Sequence, residues 1–270
     1  MLGPIDLELP AGRTIALVGE NGAGKTTLVK LLCGMYRPTG GRIIVDGIDL
    51  AALSPVQWRA RVTGAFQDFQ RLQLILAESV GVGDLPRVEE HAMVRGALER
   101  AGSATLEQRL PARLATRVGG RLTGGHELSG GQWQRLALAR GLMREAPLLV
   151  ALDEPTASLD APTEAALFER YAAAARDLAA AQGTITLLVS HRFSTVRSAD
   201  LIVVLEHGRI VEHGSHPDLL AVGGTYAETV RLASARVSLS AGYANCAPRI
   251  RMSASMVAGS ATEQVTSVPE

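Results

Sequence analysis

A glycine-rich run near the start of the chain has the residue types and spacing to hold phosphate. Gly19-Glu20-Asn21-Gly22-Ala23-Gly24-Lys25-Thr26 fits the pattern G-x-x-x-x-G-K-[ST], and Thr27 follows it directly. Glycine lets the backbone curl so that successive N–H groups point at anionic oxygens. Lys25 supplies positive charge for the β- and γ-phosphates of a nucleotide, and the Thr26 hydroxyl can ligate Mg²⁺. A second locus is the apolar run Leu148 to Leu152, which ends in Asp153 and Glu154. A strand there puts Asp153 at the C-terminal edge of a sheet, where open α/β sheets bind their ligands. Asp153 would hold Mg²⁺ through water, and Glu154 would polarise an attacking water as general base. Adjacent strand residues face opposite sides, so the two acids need not share a role. A third locus is Ser129-Gly130-Gly131-Gln132, just before a stretch of helical apolar period at Trp133, Leu136, Ala137 and Leu142. That is a second helix N-terminus suited to an anion, so one chain carries two half-sites for phosphate.

Each locus alone has a plainer explanation: a tight turn, an acidic strand cap, a capped surface helix. Their presence together in one chain favours the nucleotide reading. Short β-type runs alternate with helical patterns, which predicts an α/β fold around a mostly parallel sheet. Strands are expected at Thr14–Val18, Ile43–Val45, Leu148–Leu152, Thr184–Val189, Leu201–Leu205 and Arg209–Glu212. His207-Gly208 marks a hairpin turn between the last two. Helices are expected at Lys25–Leu32, Glu89–Ala101, Gly131–Arg144 and Thr163–Ala181, the last with Pro162 in its first turn and Asp160 as a possible cap. The strand Thr14–Val18 and the helix from Lys25 flank the glycine loop as a phosphate site requires.

Residues 74–145 are mainly helical in pattern and read as a helical subdomain inserted into an α/β core spanning 1–235. Residues 236–270 are rich in Ser, Ala, Val and Met, keep neither period, and are expected to lack order. Lys+Arg and Asp+Glu both number 27, and this zero net charge argues against a nucleic-acid partner. No apolar run approaches the ~18 residues of a membrane span, and no secretory leader pattern is present. Two cysteines, Cys33 and Cys246, make no disulfide framework and fit a reducing compartment. His207, His213 and His216 cluster near the hairpin without paired ligand spacing, so turn and surface roles are expected.

Glu127-Leu128-Ser129-Gly130-Gly131-Gln132-Trp133-Gln134-Arg135 resembles the LSGGQ signature of ATP-binding cassette (ABC) ATPases. The resemblance covers nearly all of residues 1–235, with the motifs in family order. Gln67 matches the Q-loop, Ser158-Leu159-Asp160 the D-loop, and His191 the switch histidine. The resemblance implies a P-loop NTPase core, and ATP with Mg²⁺ at Thr26, Gln67 and Asp153. Glu154, His191 and Gln67 are then the catalytic set, and Ser129 to Gln132 with Asp160 complete a nucleotide held by a second cassette. It implies a head-to-tail pair, identical or not, docked on a transmembrane domain at the inner face of the cell membrane.

Ser190 to Val196, Ala199-Asp200, Gly208 to His216 and Gly224 to Ala227 are similar to exporter-type cassettes, usually fused behind six membrane helices. The expected function is an ATPase that powers export. Two departures stand out. The family's adenine-stacking aromatic has no counterpart among the residues before Gly19, and the first edge strand is expected to be missing with it. Stacking on a base is worth ~1–3 kcal/mol in single-stranded nucleic-acid complexes, so weaker ATP binding is expected. The stretch Thr116 to Arg121 also lacks the family's glutamate. A truncated or inactive exporter remnant and a non-transport ABC ATPase remain as alternative readings.

Overall fold

The computed structural model describes residues 2–120, 123–153, 173, 179–190 and 193–232, without the side chains of 193 and 194. All but Leu232 belong to one compact unit, Met1–Arg231. The elements are β1 (Thr14–Val18), α1 (Lys25–Leu32), β2 (Ile44–Val45), β3 (Ile48–Asp49), α2 (Pro55–Arg61), β4 (Val62–Phe66), α3 (Leu76–Gly81), α4 (His91–Arg100), α5 (Ala104–Arg109), α6 (Gly130–Gly141), β5 (Leu149–Asp153), β6 (Ile185–Val189), α7 (Phe193–Val196), β7 (Leu201–Glu206), β8 (Arg209–Gly214) and α8 (His216–Val222). Short 3₁₀ turns punctuate them, and residues 225–232 are helical.

The main sheet has the order β4-β5-β6-β1-β7-β8. Every neighbouring pair is parallel except β7–β8. β1 is therefore internal, and Ile15, Ala16 and Leu17 are fully buried. Strands covered on both faces read as unbroken apolar runs, as β5 and β7 do. Alternation splits their side chains between two cores. Leu149 and Ala151 join Ile15, Leu17, Leu28, Val29, Leu187 and Val189 under α1. Val150 and Leu152 face the opposite way and join Leu76, Val94, Leu98, Trp133 and Leu136 from α3, α4 and α6. A third cluster packs Ala16, Ile202 and Val204 under Leu219 and Tyr226.

The expected β1 and α1 occur with the expected bounds, and the other predicted strands differ by one or two residues. β4 has no counterpart in the sequence expectations. In Val62-Thr63-Gly64-Ala65-Phe66 the strand formers Val62, Thr63 and Phe66 are interrupted by Gly64 and Ala65, which are depleted in strands, so the local signal is broken. A Cβ at Gly64 would lie 2.6 Å from the Ala151 carbonyl oxygen, and one at Gly141 only 2.5 Å from the Gly64 carbonyl oxygen. The two glycines let α6 and β5 close on β4 at backbone distance. Thr63 Oγ1 donates to the Gly141 carbonyl at 2.5 Å, tying strand to helix in a buried setting.

Between β4 and β5 the described residues add no strand to the sheet; they contribute α3 to α6 and two isolated bridges, Ile75 with Arg117 and Val118 with His126. α6 ends at Gly141, short of the expected Arg144. The Arg144 side chain instead donates to the carbonyls of Gly83 and Val62, both at 3.2 Å, fixing the exit toward β5. The predicted helix Thr163–Ala181 lies mostly outside the described residues, as does the tail 236–270. No helix of the described residues is long and apolar enough to cross a membrane.

Candidate functional site

Strand register sets the site. Phe66 of β4 pairs with Asp153 of β5, Asp153 with Val189 of β6, and Val189 with Leu17 of β1. The C-terminal ends of four parallel strands are therefore level. Gln67 follows Phe66, Ser190 follows Val189, and the glycine loop follows Val18. Gln67, Asp153, Ser190 and Gly19 thus converge on one sheet edge, as ligand sites of open α/β sheets do.

The loop has the backbone its glycines permit. Gly19, Gly22 and Gly24 have φ of 144°, 83° and 105°. Gly19 has no room for a side chain: a Cβ there would sit 2.1 Å from the Leu205 carbonyl oxygen of β7. The hairpin behind the loop adds a backbone clamp, with Gly208 N donating to the Ala23 carbonyl at 3.1 Å. His207, at φ 48°, and Gly208, at φ 78°, make that tight turn. Lys25 is buried, and its Nζ donates to the carbonyls of Gly19 at 2.8 Å and Glu20 at 2.9 Å, so the ammonium lies across the loop. Glu20, Asn21, Gly22, Thr26 and Thr27 are exposed, and Ala23 is buried.

The two helix N-termini differ. Gly24 caps α1 without a side-chain hydrogen bond, and no acidic residue occupies its first turn. Its first N–H groups carry the positive end of the helix dipole with no side-chain cap of their own. α6 is capped internally: Ser129 Oγ accepts from Gln132 N at 3.3 Å, and Gln132 Oε1 accepts from Ser129 N at 2.7 Å. This capping box leaves the Ser129 hydroxyl proton able to donate outward. Ser129 and Gly130 are exposed, and Gly131 and Gln132 partly so. α6 has 12 residues, so at 1.5 Å each it carries Ser129 roughly 18 Å along its axis from the Gly141–Gly64 contact.

Upstream of Ser129, Glu127 accepts from Gly120 N at 2.5 Å and from Trp133 Nε1 at 3.4 Å. The Trp133 bond first, then the Gly120 bond, holds the Glu127 carboxyl below the usual glutamate range. A carboxylate from position 127 thus reaches the stretch 116–121 in which the sequence itself offers none. Sequence reasoning passed over Glu127 in this role, because only the loop's closure brings residues 120 and 127 together.

Asp153 is buried at the end of β5, while Thr26 and Gln67 are exposed. α1, which carries Thr26, packs against β5 and β6. A carboxylate, a hydroxyl and an amide oxygen are the hard donors a Mg²⁺ ion takes, so the donor chemistry fits that cation. Glu154, Asp160 and His191 lie outside the described residues.

A glycine loop at the carboxyl edge of a parallel sheet, opening a helix whose first residue is lysine, defines a P-loop nucleotide-binding protein. The sequence profile described as "ABC transporter" matches residues 2–157. The chain is 44% identical over 232 residues to an ATP-dependent lipid A-core flippase of Ralstonia nicotianae, covering 86% of this chain and 38% of the flippase. It is 40% identical over 227 residues to the β-(1→2)glucan export ATP-binding/permease protein NdvA of Rhizobium etli, covering 84% of this chain and 37% of NdvA. A bacterial Atm1-family ABC exporter solved with ATP bound matches with a TM-score of 0.74 at 36% identity, over 85% of this chain and 38% of that one. The chain belongs to the ABC transporter family and has the family's ATPase fold. It spans less than two-fifths of the length of these relatives.

Proposed function

We propose that this chain binds and hydrolyses ATP as one half of a cassette pair, and that closure of the pair drives export through membrane helices of a partner domain. The observation that carries this reading is the level register of β4, β5, β6 and β1, which gathers Gln67, Asp153, Ser190 and the Gly19–Thr27 loop at one edge. The similarity to a lipid A-core flippase and to a glucan exporter supports the exporter branch.

In this reading Lys25 exchanges its bonds to Gly19 and Glu20 for oxygens of the β- and γ-phosphates. The N–H groups from Gly22 to Thr27 receive the phosphate oxygens. Thr26, Asp153 and Gln67 would hold Mg²⁺, which when bound neutralises charge on the phosphates. Glu154 orients and polarises the attacking water, and His191 holds its geometry against the γ-phosphate. Ser129, Gly130, Gly131 and Gln132, with Asp160, approach the γ-phosphate held by the other cassette. The α6 geometry supports this division, because a helix that leads away from β4 presents its N-terminus outward. Hydrolysis then removes the γ-phosphate that both cassettes share and lets them part. The inner face of a cell membrane is the proposed setting, reached through the membrane-domain partner.

The test is ATP binding and phosphate release by the full chain. Lys25→Ala is expected to weaken ATP binding tenfold or more, about 1.4 kcal/mol, because a charge-assisted contact is lost. Glu154→Gln is expected to keep binding and abolish turnover. Failure of the parent chain to bind ATP at millimolar concentration would overturn the reading.

A further inference from the structure

Gln67 and the Ser129 turn belong to different elements, and nothing in their sequence spacing joins them. The structure supplies a link at the far end of the signature helix. Arg140, in the last turn of α6, donates from Nε to the Ser79 carbonyl at 2.9 Å and from Nη1 to the Gln70 carbonyl at 3.2 Å. Gln70 lies three residues after Gln67. Ser79 Oγ in turn donates to the Leu72 carbonyl at 3.2 Å, so the segment 70–72 is held at two points. α6 therefore engages the segment that follows Gln67 through Arg140 and, by way of the shared Ser79, at Leu72.

The Arg140 site is costly to build. Burial pulls its guanidinium below the ordinary arginine range. Its Nη2 is buried with no hydrogen-bond partner among the described residues. A buried donor without a partner loses its hydration and gains nothing in return. Such a group is rare in native structures and calls for a physical reason. A second position of the 70–72 segment, bringing a carbonyl onto Nη2, would supply that reason.

We propose that Arg140 is a positioning residue that yokes the segment following Gln67 to the signature helix, so that drawing Gln67 toward nucleotide shifts α6 and aims Ser129. The proposal rests on the nucleotide reading above and adds the physical connection between its two half-sites. It names a discrete two-position element: the segment 70–72 bonded to Nη1 alone, or to Nη1 and Nη2 together. A two-position element whose balance both sites bias is a physical route for coupling between them.

The test compares the full-length parent with Arg140→Gln and Arg140→Lys by hydrogen exchange, with and without Mg-ATP, at concentrations where light scattering reports a monomer. In the parent, ATP is expected to change exchange at residues 19–27, 67–73 and 129–136. In Arg140→Gln the first two responses should persist and the third should vanish, with ATP affinity within about twofold of the parent and kcat about tenfold lower at similar KM. Arg140→Lys keeps the charge but reaches one carbonyl, so it should restore part of the 129–136 response. If Arg140→Gln fails to fold, a parent-like response at 129–136 in Arg140→Lys overturns the proposal by itself. The proposal is also overturned if Arg140→Gln transmits as the parent does, or if the parent's 129–136 never responds to ATP. Absence of any response at 19–27 in the parent sinks the nucleotide reading instead.

Discussion

Gly19 and Gly22 lie in the same loop, both with positive φ, yet alanine should be tolerated very differently at the two. At Gly22 a Cβ meets nothing within 4 Å, and the backbone sits at φ 83°. The cost of Gly22→Ala is then the left-handed strain of an L-residue alone, about 1 kcal/mol. At Gly19 a Cβ would lie 2.1 Å from the Leu205 carbonyl oxygen and 3.1 Å from its carbon. Non-bonded carbon atoms rest at about 3.5 Å, so loop and strand must separate by roughly 1 Å. That oxygen belongs to β7, which is locked to β1 through Ile15–Leu201 to Val18–Val204 and cannot yield without loosening the ladder. Backbone strain of ~1–3 kcal/mol and a weakened ladder hydrogen bond of ~0.5–1.5 kcal/mol give about 2–4 kcal/mol for Gly19→Ala. The gap between the variants is about 2 kcal/mol, near thirtyfold in the folding equilibrium. Urea unfolding with unchanged m-values measures it directly. Equal destabilisation by the two alanines, or a larger effect at Gly22, would refute the packing of the loop against β7.

Four further outcomes follow from particular contacts. Thr63→Val leaves the Gly141 carbonyl without its 2.5 Å donor and should cost ~1–3 kcal/mol, while Thr63→Ser should largely keep the bond; thermal melts of both variants check this. Ser129→Ala removes the cap on Gln132 N and should cost ~1 kcal/mol, whereas Ser129→Asn should retain the cap and still lose turnover if the hydroxyl serves the partner's phosphate. Glu127 has its folded pKa depressed by Trp133 and Gly120. Its contribution is therefore present above the unfolded glutamate pKa and lost as pH falls through the folded value, so Glu127→Gln should flatten the acid limb of a stability–pH curve. Burial pushes the Cys33 thiol up to about 12, so in a Cys246→Ser background a thiol reagent at pH 8 should label it only as fast as the fold opens; prompt stoichiometric labelling would contradict its burial.

The elements that read clearly in the sequence are those whose signal is local. β1 and α1 flank a glycine loop, and an apolar run and a lysine-led helix need no distant partner to be recognised. β4 is hard to read because Gly64 and Ala65 break the run of strand formers Val62, Thr63 and Phe66, and the ladder to β5 that completes the strand joins residues far apart in sequence. Gln67 was nameable from its motif, but its place beside Asp153 needed the β4–β5 register. Arg140 and Glu127 looked like ordinary charges on a helix and before it. Their partners, Gln70, Ser79 and Gly120, lie 70, 61 and 7 residues away, and their bonds run to backbone groups that no side-chain pattern reveals. Glu154, Asp160 and His191 rest on motif alone, since they lie outside the described residues.

The two-half-site claim is tested most directly by the mass of Glu154→Gln in solution. With saturating ATP and Mg²⁺, light scattering should report a shift from the 28.4 kDa chain to twice that mass, reversed when Ser129 is replaced by a bulky residue. A mass that stays at one chain while ATP is bound would contradict the claim that nucleotide joins the cradle of one cassette to the serine-glycine turn of another.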